Sequence, residues 1–273
     1  MLRERGQVMP RGSIIANVSN VSLTVLGSSS SIPRPSRACS SYLFFDGKSG
    51  IVFDLGTGSF ANMREHLDYD LIDSVVISHM HADHFFDVIP LRYALLYGPR
   101  KRNTRVQLWL PPGGEQQLRE LSDSFADEGA GDFLKVFEIA TYEPNGTIEV
   151  GEAKISFTPT RHYIPTFALR YQCNGTTVTY SADTAPDDNV AKHADGSHLF
   201  ICEATLTANE VEHGMRGHSS AREAADMARK AGVDHLMLSH YPAEATQEEL
   251  ILHARSGFTG KITVADDHTR LAL

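Results

Sequence analysis

Four side chains that can bind metal ions lie within six consecutive positions, directly after an apolar segment. They are His79, His81, Asp83 and His84. Alternate side chains of an extended chain face the same way, so His79 and His81 can point at one ion where a strand ends, and the other two residues can serve a second ion. Imidazole suits zinc, iron, copper or nickel, and carboxylate suits harder metals. The run predicts a site for one or two transition-metal ions; the alternative is a histidine-rich surface loop, since the chain has 13 histidines.

The run resembles the metal-binding signature of the metallo-β-lactamase superfamily, a set of mostly hydrolytic metalloenzymes. Asp54, in the sequence FDLGTG at residues 53–58, is similar to the family's first motif, whose aspartate usually supports the ligand histidines through hydrogen bonds. His162, Asp183 and His240 match the remaining ligand positions in the family's order. The resemblance implies an α/β fold, a four-layer αβ/βα sandwich in which helices flank two mixed sheets.

The same resemblance implies how the ligands are divided between two divalent ions. Each ion would have three ligands of its own: His79, His81 and His162 for one, and Asp83, His84 and His240 for the other. Asp183 would bridge the two ions. Zn²⁺ is preferred, with Mn²⁺ or Fe²⁺ as alternatives, and a redox role is disfavoured because related diiron flavoproteins usually have glutamate where this chain has His81. A hydroxide between the ions would be the nucleophile, since metal binding lowers the pKa of water from about 15.7 toward about 7.

A second constellation, Glu203 followed by residues 217–221, indicates the kind of ester. It resembles a phosphodiesterase branch that includes ribonuclease Z, enzymes hydrolysing cyclic nucleotides, and the cyclic phosphodiesterase of phosphonate breakdown. In that branch His218 would protonate the leaving oxygen or stabilise charge on the phosphoryl oxygens, a role generally worth about 10²- to 10⁴-fold. The alternative for His218 is a polar residue ahead of a helix N-cap. The candidate catalytic residues are Asp83, His218 and Glu203, with Glu203 orienting His218 or another histidine of the site.

The size and charge of the chain favour a small phosphodiester, such as a cyclic nucleotide, over RNA. Bacterial ribonuclease Z carries a protruding arm between the third ligand motif and the bridging aspartate, but here only about twenty residues separate His162 from Asp183, and the turn signal Asn174-Gly175 fills them with a hairpin. The formal net charge of −9 also disfavours a polyanion. A ribonuclease Z-like tRNA 3′ processing endonuclease, a lactonase or sulfatase acting at the same site, and a non-catalytic scaffold are the alternatives.

Some residues have an open assignment. The aromatic residues Phe85, Phe86 and Tyr163 are either walls for a nucleobase or ordinary core. Arg34 and Arg37, in a Ser-rich loop after the first strand, are either substrate contacts or turn residues. The basic cluster Arg100, Lys101, Arg102 and Arg105 is either a phosphate contact or a solvated loop, and His213 is expected to be a solvated loop histidine.

Length and composition predict one soluble domain. The chain has 273 residues, of which 41% are hydrophobic and 22% charged. Residues 20–273 are expected to form the hydrolase domain and residues 1–19 an N-terminal extension. Neither a secretory signal nor a membrane span is recognisable, which predicts a cytoplasmic protein; a homodimer is left open. Cys39, Cys173 and Cys202 are expected to be buried thiols rather than disulfides or catalytic groups.

Periodicity and turn residues locate the elements that must position these side chains. Strands are expected over 22–26, 42–45, 51–54, 106–110, 148–157, 167–173, 176–180, 236–238 and 261–264. Helices are expected over 59–66, 88–96, 115–125, 219–231 and 247–256. Residues 127–132 are expected to form a loop. The helix over 219–231 has a capping-box signal in Ser220 and Glu223, and Gly232 at its end.

Overall fold

The structure is a computed structural model that describes residues 21–124, 131–207 and 212–273. The predicted extension over 1–19 and most of the predicted loop over 127–132 lie outside these ranges. The last two residues of that loop are helical, because α5 begins at Gly131. The loop prediction was therefore wrong for residues 131 and 132.

Fourteen strands are found in the described ranges. The strands are β1 (Ser22–Gly27), β2 (Ser41–Phe45), β3 (Gly50–Phe53), β4 (Ile72–Val76), β5 (Val106–Leu110), β6 (Phe137–Thr141), β7 (Thr147–Val150), β8 (Ala153–Pro159), β9 (Phe167–Cys173), β10 (Thr176–Tyr180), β11 (Leu199–Glu203), β12 (His235–Ser239), β13 (Lys261–Val264) and β14 (Arg270–Ala272).

Eight α-helices accompany them in the same ranges. The helices are α1 (Ser59–His66), α2 (Ala82–Phe85), α3 (Val88–Tyr97), α4 (Gly114–Asp123), α5 (Gly131–Val136), α6 (Asp188–His193), α7 (Ala221–Ala231) and α8 (Gln247–Arg255). A 3₁₀ turn, Tyr69–Leu71, leads into β4.

The strands form two seven-stranded mixed sheets. The first has the order β14-β1-β2-β3-β4-β5-β6, and the second has the order β13-β12-β11-β10-β9-β8-β7. In the first sheet the pairs from β14 to β3 are antiparallel and those from β3 to β6 are parallel. In the second, the pairs from β7 to β10 are antiparallel and those from β10 to β13 are parallel. Each sheet therefore has a parallel half whose strands end at one edge.

Three buried clusters separate four layers. One cluster takes residues from both sheets, including Tyr42 and Tyr180, whose rings lie 4.8 Å apart. A second joins the first sheet to α1, α3, α4 and α5, and a third joins the second sheet to α6, α7 and α8. Successive residues of β2 show the alternation that produces these layers, since Leu43 faces the helices and Phe44 the other sheet. The predicted αβ/βα sandwich is confirmed.

Local signals in the sequence account for several element boundaries. Asn174 and Gly175 have φ of 49° and 80°, which gives the tight hairpin expected between β9 and β10. The capping box of Ser220 and Glu223 starts α7, and Gly232 ends it with φ of 60°. The helix accordingly begins at Ala221, two residues later than predicted.

The strand expected over 148–157 is in fact two strands. Gly151 has φ of 57° and turns the chain, so that Val150 of β7 pairs with Ala153 of β8. Apolar residues of both strands enter the cluster between the sheets, which is why the pattern was read as one strand. No range was predicted for the strands β6, β11 and β14 or for the helices α2, α5 and α6.

Candidate metal centre

The predicted ligand residues follow the carboxyl ends of strands in both sheets. Residues 78–84 follow β4, where β4 runs parallel to β3 and β5. His162, Asp183 and His240 follow β8, β10 and β12 of the other sheet. The structure brings all seven side chains together into one group, called here the His/Asp cluster: His79, His81, Asp83, His84, His162, Asp183 and His240.

Part of the cluster consists of three imidazoles and one carboxylate oxygen. Nδ1 of His81 lies 3.1 Å from Nε2 of His79 and 3.1 Å from Nε2 of His162. Oδ2 of Asp183 lies 3.7 Å from the His79 nitrogen and 3.8 Å from the His162 nitrogen. Tetrahedral zinc with bonds of about 2.0–2.1 Å separates its ligand atoms by roughly 3.4 Å. These four atoms therefore fit around one ion.

The remaining ligand atoms of the cluster lie near the other carboxylate oxygen of Asp183. Nε2 of His84 is 3.3 Å from Nε2 of His240, and Oδ2 of Asp83 is 3.5 Å and 3.3 Å from these two nitrogens. Oδ1 of Asp183 is 3.4 Å from His84 and 3.5 Å from His240. Among the described residues this buried oxygen has no hydrogen-bond partner. A buried carboxylate oxygen left in this way fits a cation, because an unpaired buried acceptor is costly.

Asp54 holds the outer side of His84. Oδ2 of Asp54 accepts hydrogen bonds from Nδ1 of His84 at 2.7 Å and from the hydroxyls of Ser78 at 2.8 Å and Tyr180 at 2.9 Å. Oδ1 accepts the Ser78 amide at 2.6 Å. The bond to Nδ1 fixes the tautomer of His84 and turns Nε2 into the cluster.

Other cluster histidines have partners on their outer nitrogens as well. Nδ1 of His162 donates to the carbonyl of Gly217 at 2.9 Å, and Nδ1 of His240 lies 2.8 Å from the hydroxyl of Thr205. Three non-glycine residues at the strand ends adopt a left-handed backbone, Asp54 with φ of 53°, Ala182 with 50° and His240 with 49°. Such conformations concentrate where a structure must aim side chains at a site.

Burial and neighbouring charges shift the pKa values of the cluster residues in different directions. Burial, together with the neighbouring His84, holds the pKa of His79 well below its ordinary value, so this imidazole is neutral. Burial opposes ionisation of Asp183, but His240 and His84 outweigh it and lower the pKa of Asp183. Burial likewise opposes protonation of His84, but the charges of Asp183, Asp54 and Asp83 raise the pKa of His84 well above its ordinary value. A cation bound at Nε2 of His84 would therefore displace a proton from this ring.

His218 and Glu203 adjoin the cluster. The His218 ring centroid is 5.0 Å from that of His162 and 5.9 Å from that of His240. A ring nitrogen of His218 lies within 4.8 Å of ligand atoms of Asp183 and His240. Burial opposes protonation of His218, but the hydrogen bond and charge of Glu203 outweigh it and raise the pKa of His218 to about 9.

Glu203 is fully buried at the end of β11 and joins several loops of the site. Its Oε1 accepts Nδ1–H of His218 at 3.0 Å and the Thr184 amide at 2.7 Å. Its Oε2 accepts the amides of Thr205 and Ser219, both at 3.2 Å. Because Nδ1 of His218 is occupied by this bond, Nε2 is the ring nitrogen that could bind a further group.

The three aromatic candidates differ in burial and in distance from the His/Asp cluster. Phe85 is buried in the cluster between the first sheet and its helices, so it is core and not a wall of the site. Phe86 is 39% exposed, and Tyr163 is 42% exposed. The Tyr163 ring lies 4.7 Å from that of His162 and 5.7 Å from that of His218. The structure therefore places the partly exposed ring of Tyr163 beside the His/Asp cluster.

The basic candidates are mostly engaged elsewhere. Arg37 binds Asp266 at 3.0 Å and also contacts the hydroxyl of Tyr241, whereas Arg34 lies over the ring of Tyr241 with its guanidinium carbon 5.4 Å from the centroid. In the predicted basic cluster, Arg100 pairs with Asp68 at 2.8 Å and Arg102 with Asp73 at 3.0 Å.

The remaining members of the basic cluster bind carbonyl groups. Lys101 donates to the carbonyl of Leu96 at 2.8 Å and Arg105 to that of Leu134 at 3.3 Å. His213 is exposed, as predicted. Cys39, Cys173 and Cys202 are buried and free, as predicted.

Sequence reasoning missed several partners of the site. Thr205, Ser78 and Tyr180 bind histidines or Asp54, and Glu212 binds the backbone of Gly217 and His218. Ser78 directly precedes the metal-binding run, but Thr205, Tyr180 and Glu212 come from other segments. Only the fold brings them to the cluster.

Across the described ranges, the helices are all too short or too polar to cross a membrane.

This fold, with a His/Asp cluster where strands of two sheets end, defines a metal-dependent hydrolase of the metallo-β-lactamase type. The chain belongs to the family described as "Beta-lactamase superfamily domain", whose sequence model matches residues 50–241. It is 26% identical over 245 residues to "Probable metallo-hydrolase YhfI" of Bacillus subtilis (strain 168), covering 89% of this chain and 96% of that protein. The crystal structure of YhfI from Bacillus subtilis superposes with a TM-score of 0.82 at 24% identity, covering 92% of this chain and 98% of that one.

Two further similarities concern proteins whose names state an activity. The chain is 27% identical over 297 residues to "Ribonuclease Z" of Methanothermobacter thermautotrophicus, covering 90% of this chain and 94% of that protein. The structure described as a "New Diphosphatase from the PhnP Family" has a TM-score of 0.71 at 20% identity and covers 93% of this chain and 98% of that one. The second similarity shows the fold alone.

Proposed function

We propose that the protein is a dinuclear metal-dependent phosphodiesterase that acts on a small phosphodiester such as a cyclic nucleotide. The observation that carries the proposal is the position of His218. Its ring lies beside the His/Asp cluster with Nδ1 bound to buried Glu203, so Nε2 is free to meet a group held at the cluster. Hydrolysis of a phosphodiester with a poor leaving group needs an activated water and a proton donor. A metal-binding cluster can supply the first and an oriented imidazole the second.

The two ions would be divalent, with Zn²⁺ preferred and Mn²⁺ or Fe²⁺ as alternatives. His79, His81 and His162 would hold one ion, Asp83, His84 and His240 the other, and Asp183 would offer one oxygen to each. When bound, the ions would supply an activated water and polarise the phosphoryl group. Asp83 would serve the reaction through this ligand position.

His218 would donate a proton from Nε2 to the leaving oxygen or stabilise charge on the phosphoryl oxygens. Glu203 would orient the ring through its bond to Nδ1–H and stabilise the protonated imidazolium, so that Nε2 carries the proton to be donated. Glu203 would not act as the base, since its four hydrogen bonds occupy both oxygens. His218 is partly accessible, with 17% of its side chain exposed.

A small substrate is favoured by the elements near the cluster. The chain between His162 and Asp183 is taken up by the paired strands β9 and β10 with a two-residue turn. Cations of the predicted basic cluster are bound to aspartates or carbonyl groups, so they offer little free charge to a polyanion.

A ribonuclease Z-like tRNA 3′ processing endonuclease is the second candidate. The observation in its favour is the similarity to ribonuclease Z of Methanothermobacter thermautotrophicus, which extends over 90% of this chain. Cleavage of a precursor tRNA at its 3′ end by the metal-loaded protein would support this candidate. Hydrolysis of cyclic nucleotides without such cleavage would exclude it as the main activity.

The first experiment uses protein of measured zinc, manganese and iron content. Hydrolysis of bis(p-nitrophenyl) phosphate is assayed beside a chromogenic lactone and a chromogenic sulfate ester. We expect diester hydrolysis that stops when a chelator removes the metal and returns when metal is restored. If the fully metal-loaded protein leaves the diester intact but hydrolyses the lactone or the sulfate ester, the phosphodiesterase proposal is wrong.

A further inference from the structure

One carboxylate, that of Glu212, binds both the backbone of His218 and the side chain of Tyr163. Oε2 of Glu212 accepts the amide hydrogens of Gly217 and His218, each at 3.1 Å. Oε1 accepts the hydroxyl of Tyr163. Arg216 lies 3.8 Å from the same carboxylate and is bound at 2.6 Å to Glu223. The described residues 212–218 are called the rim segment below.

Gly217 lies at the centre of the contacts around the rim segment. Its carbonyl accepts the hydrogen bond from Nδ1 of His162, and its amide donates to Glu212. A Cβ atom at this position would lie 2.5 Å from the ring of Tyr163, so the ring packs directly on the backbone of Gly217. One residue thus connects His162, Tyr163 and Glu212.

These contacts fix two groups that face the substrate in the proposed reaction. Glu203 orients the ring of His218 through Nδ1, but the position of the His218 backbone depends on the bond to Glu212. The same carboxylate holds the half-exposed ring of Tyr163, whose centroid is 5.7 Å from that of His218. A movement of Glu212 would therefore displace the imidazole and the aromatic ring together.

We propose that Glu212 is a positioning residue of the reaction: it holds His218 at the reacting phosphate and Tyr163 as a wall for a planar group, such as a nucleobase, esterified to that phosphate. This inference deepens the proposed phosphodiesterase function and rests on it. Gly217 packs on one face of the Tyr163 ring and Glu212 binds its hydroxyl, so these contacts leave the opposite face for stacking. Stacking on an aromatic side chain tolerates any base.

The test compares Glu212→Ala and Glu212→Gln with the wild type, all loaded with measured zinc. The matched control is Glu152→Ala, an exposed glutamate in the turn before β8, at the far end of that strand from His162. With 3′,5′-cyclic adenosine monophosphate, we expect Glu212→Ala to lower kcat at least about tenfold and to raise KM at least about fivefold. Zinc content should stay at the wild-type level, and the control should behave as wild type.

A double-variant cycle separates positioning from a general loss of structure. If Glu212 acts on turnover through His218, then Glu212→Ala combined with His218→Ala is no slower in kcat than His218→Ala alone. Tyr163→Phe keeps the ring and loses only the bond to Glu212, so it should raise KM and leave kcat nearly unchanged. Glu212→Gln keeps the shape and one carbonyl acceptor, so we expect it to restore part of the loss.

A second readout does not depend on activity. Hydrogen exchange at the amides of Gly217 and His218 should be slow in the wild type and in Glu152→Ala, and at least about tenfold faster in Glu212→Ala. Unchanged exchange in Glu212→Ala, or a kcat loss that adds fully to that of His218→Ala, would overturn the inference. A metal-loaded wild type that hydrolyses no diester defeats the proposed function instead, while the exchange result still decides whether Glu212 fixes the rim segment.

Discussion

Nδ1 of His84 donates a hydrogen bond over 2.7 Å to Oδ2 of Asp54, and both side chains are fully buried. Asp54 also accepts two bonds from Ser78, the residue before His79. The pair therefore connects the end of β3 with the loop that carries four residues of the His/Asp cluster. Metal affinity in this part of the molecule should depend on a residue that touches no ion.

Replacement of Asp54 by Asn should weaken metal binding about 10- to 100-fold, because the amide no longer fixes the tautomer of His84. The measurement is competition between the protein and a zinc chelator of known affinity. Asp234→Asn, at an exposed position before β12, is the matched control. Wild-type affinity in Asp54→Asn would show that the bond to His84 is dispensable.

Replacement of Asp183 by Ala should remove metal and activity together, since this side chain lies against both groups of ligand atoms. We expect metal content, determined by mass spectrometry after dialysis, to fall from about two ions toward zero. Asp188→Ala removes a largely exposed aspartate at the start of α6 and should keep both ions. Retention of two ions by Asp183→Ala would contradict the bridging assignment.

Replacement of His218 by Ala should keep the ions and lower turnover of a cyclic nucleotide at least about tenfold. A smaller loss is expected with bis(p-nitrophenyl) phosphate, because p-nitrophenolate leaves without needing a proton. Equal losses on the two substrates would assign His218 to charge stabilisation rather than proton donation. The control is His213→Ala, an exposed histidine of the rim segment, and full activity of His218→Ala on both substrates would remove His218 from the mechanism.

His235 should make the fold sensitive to acid. Burial, assisted by the charge of Lys261, lowers the pKa of this histidine to about 4, and Nε2 lies 2.8 Å from the hydroxyl of Thr263. In the unfolded chain the pKa of this histidine is about 6.5. Between that pH and the folded pKa the unfolded chain binds more protons than the folded chain, so stability falls as the pH falls through this window.

The measurement is the free energy of unfolding at pH 7.5 and pH 5, for wild type and His235→Gln. Between pH 7.5 and pH 5 we expect the free energy of unfolding to fall by about 1 kcal/mol more in the wild type than in the variant. This value is smaller than the full pKa shift of His235 implies, because solvent screens part of the effect. Because metal release affects both proteins alike, the difference between them isolates His235. Identical losses would mean that His235 titrates normally in the folded state.

The sequence was sufficient for the parts of the site that depend on local order. The run from His79 to His84 follows an apolar strand, and Ser220 with Glu223 and Gly232 sets both ends of α7. Such signals act over a few residues, so they can be recognised in the sequence without knowledge of the fold. The sandwich itself was predicted through the resemblance rather than from periodicity.

The contacts that depend on tertiary structure could not be predicted. Phe85 and Phe86 are neighbours in the chain, yet the short helix α2 turns the first into the core and leaves the second exposed. Thr205 meets His240 across 35 positions, and Tyr180 meets Asp54 across 126. Nothing in the identity of a threonine or a tyrosine indicates such a partner before the sheets are assembled.

The His/Asp cluster draws on both halves of the chain. His81 meets His162 across 81 positions, and His84 meets His240 across 156. A cation bound at either place would act as a cross-link between the two sheets, closing a long loop of chain in the way that a disulfide does. Neither half could form the site alone, so the ions would be captured only after the sheets have packed, and their release would loosen the layer where Tyr42 meets Tyr180.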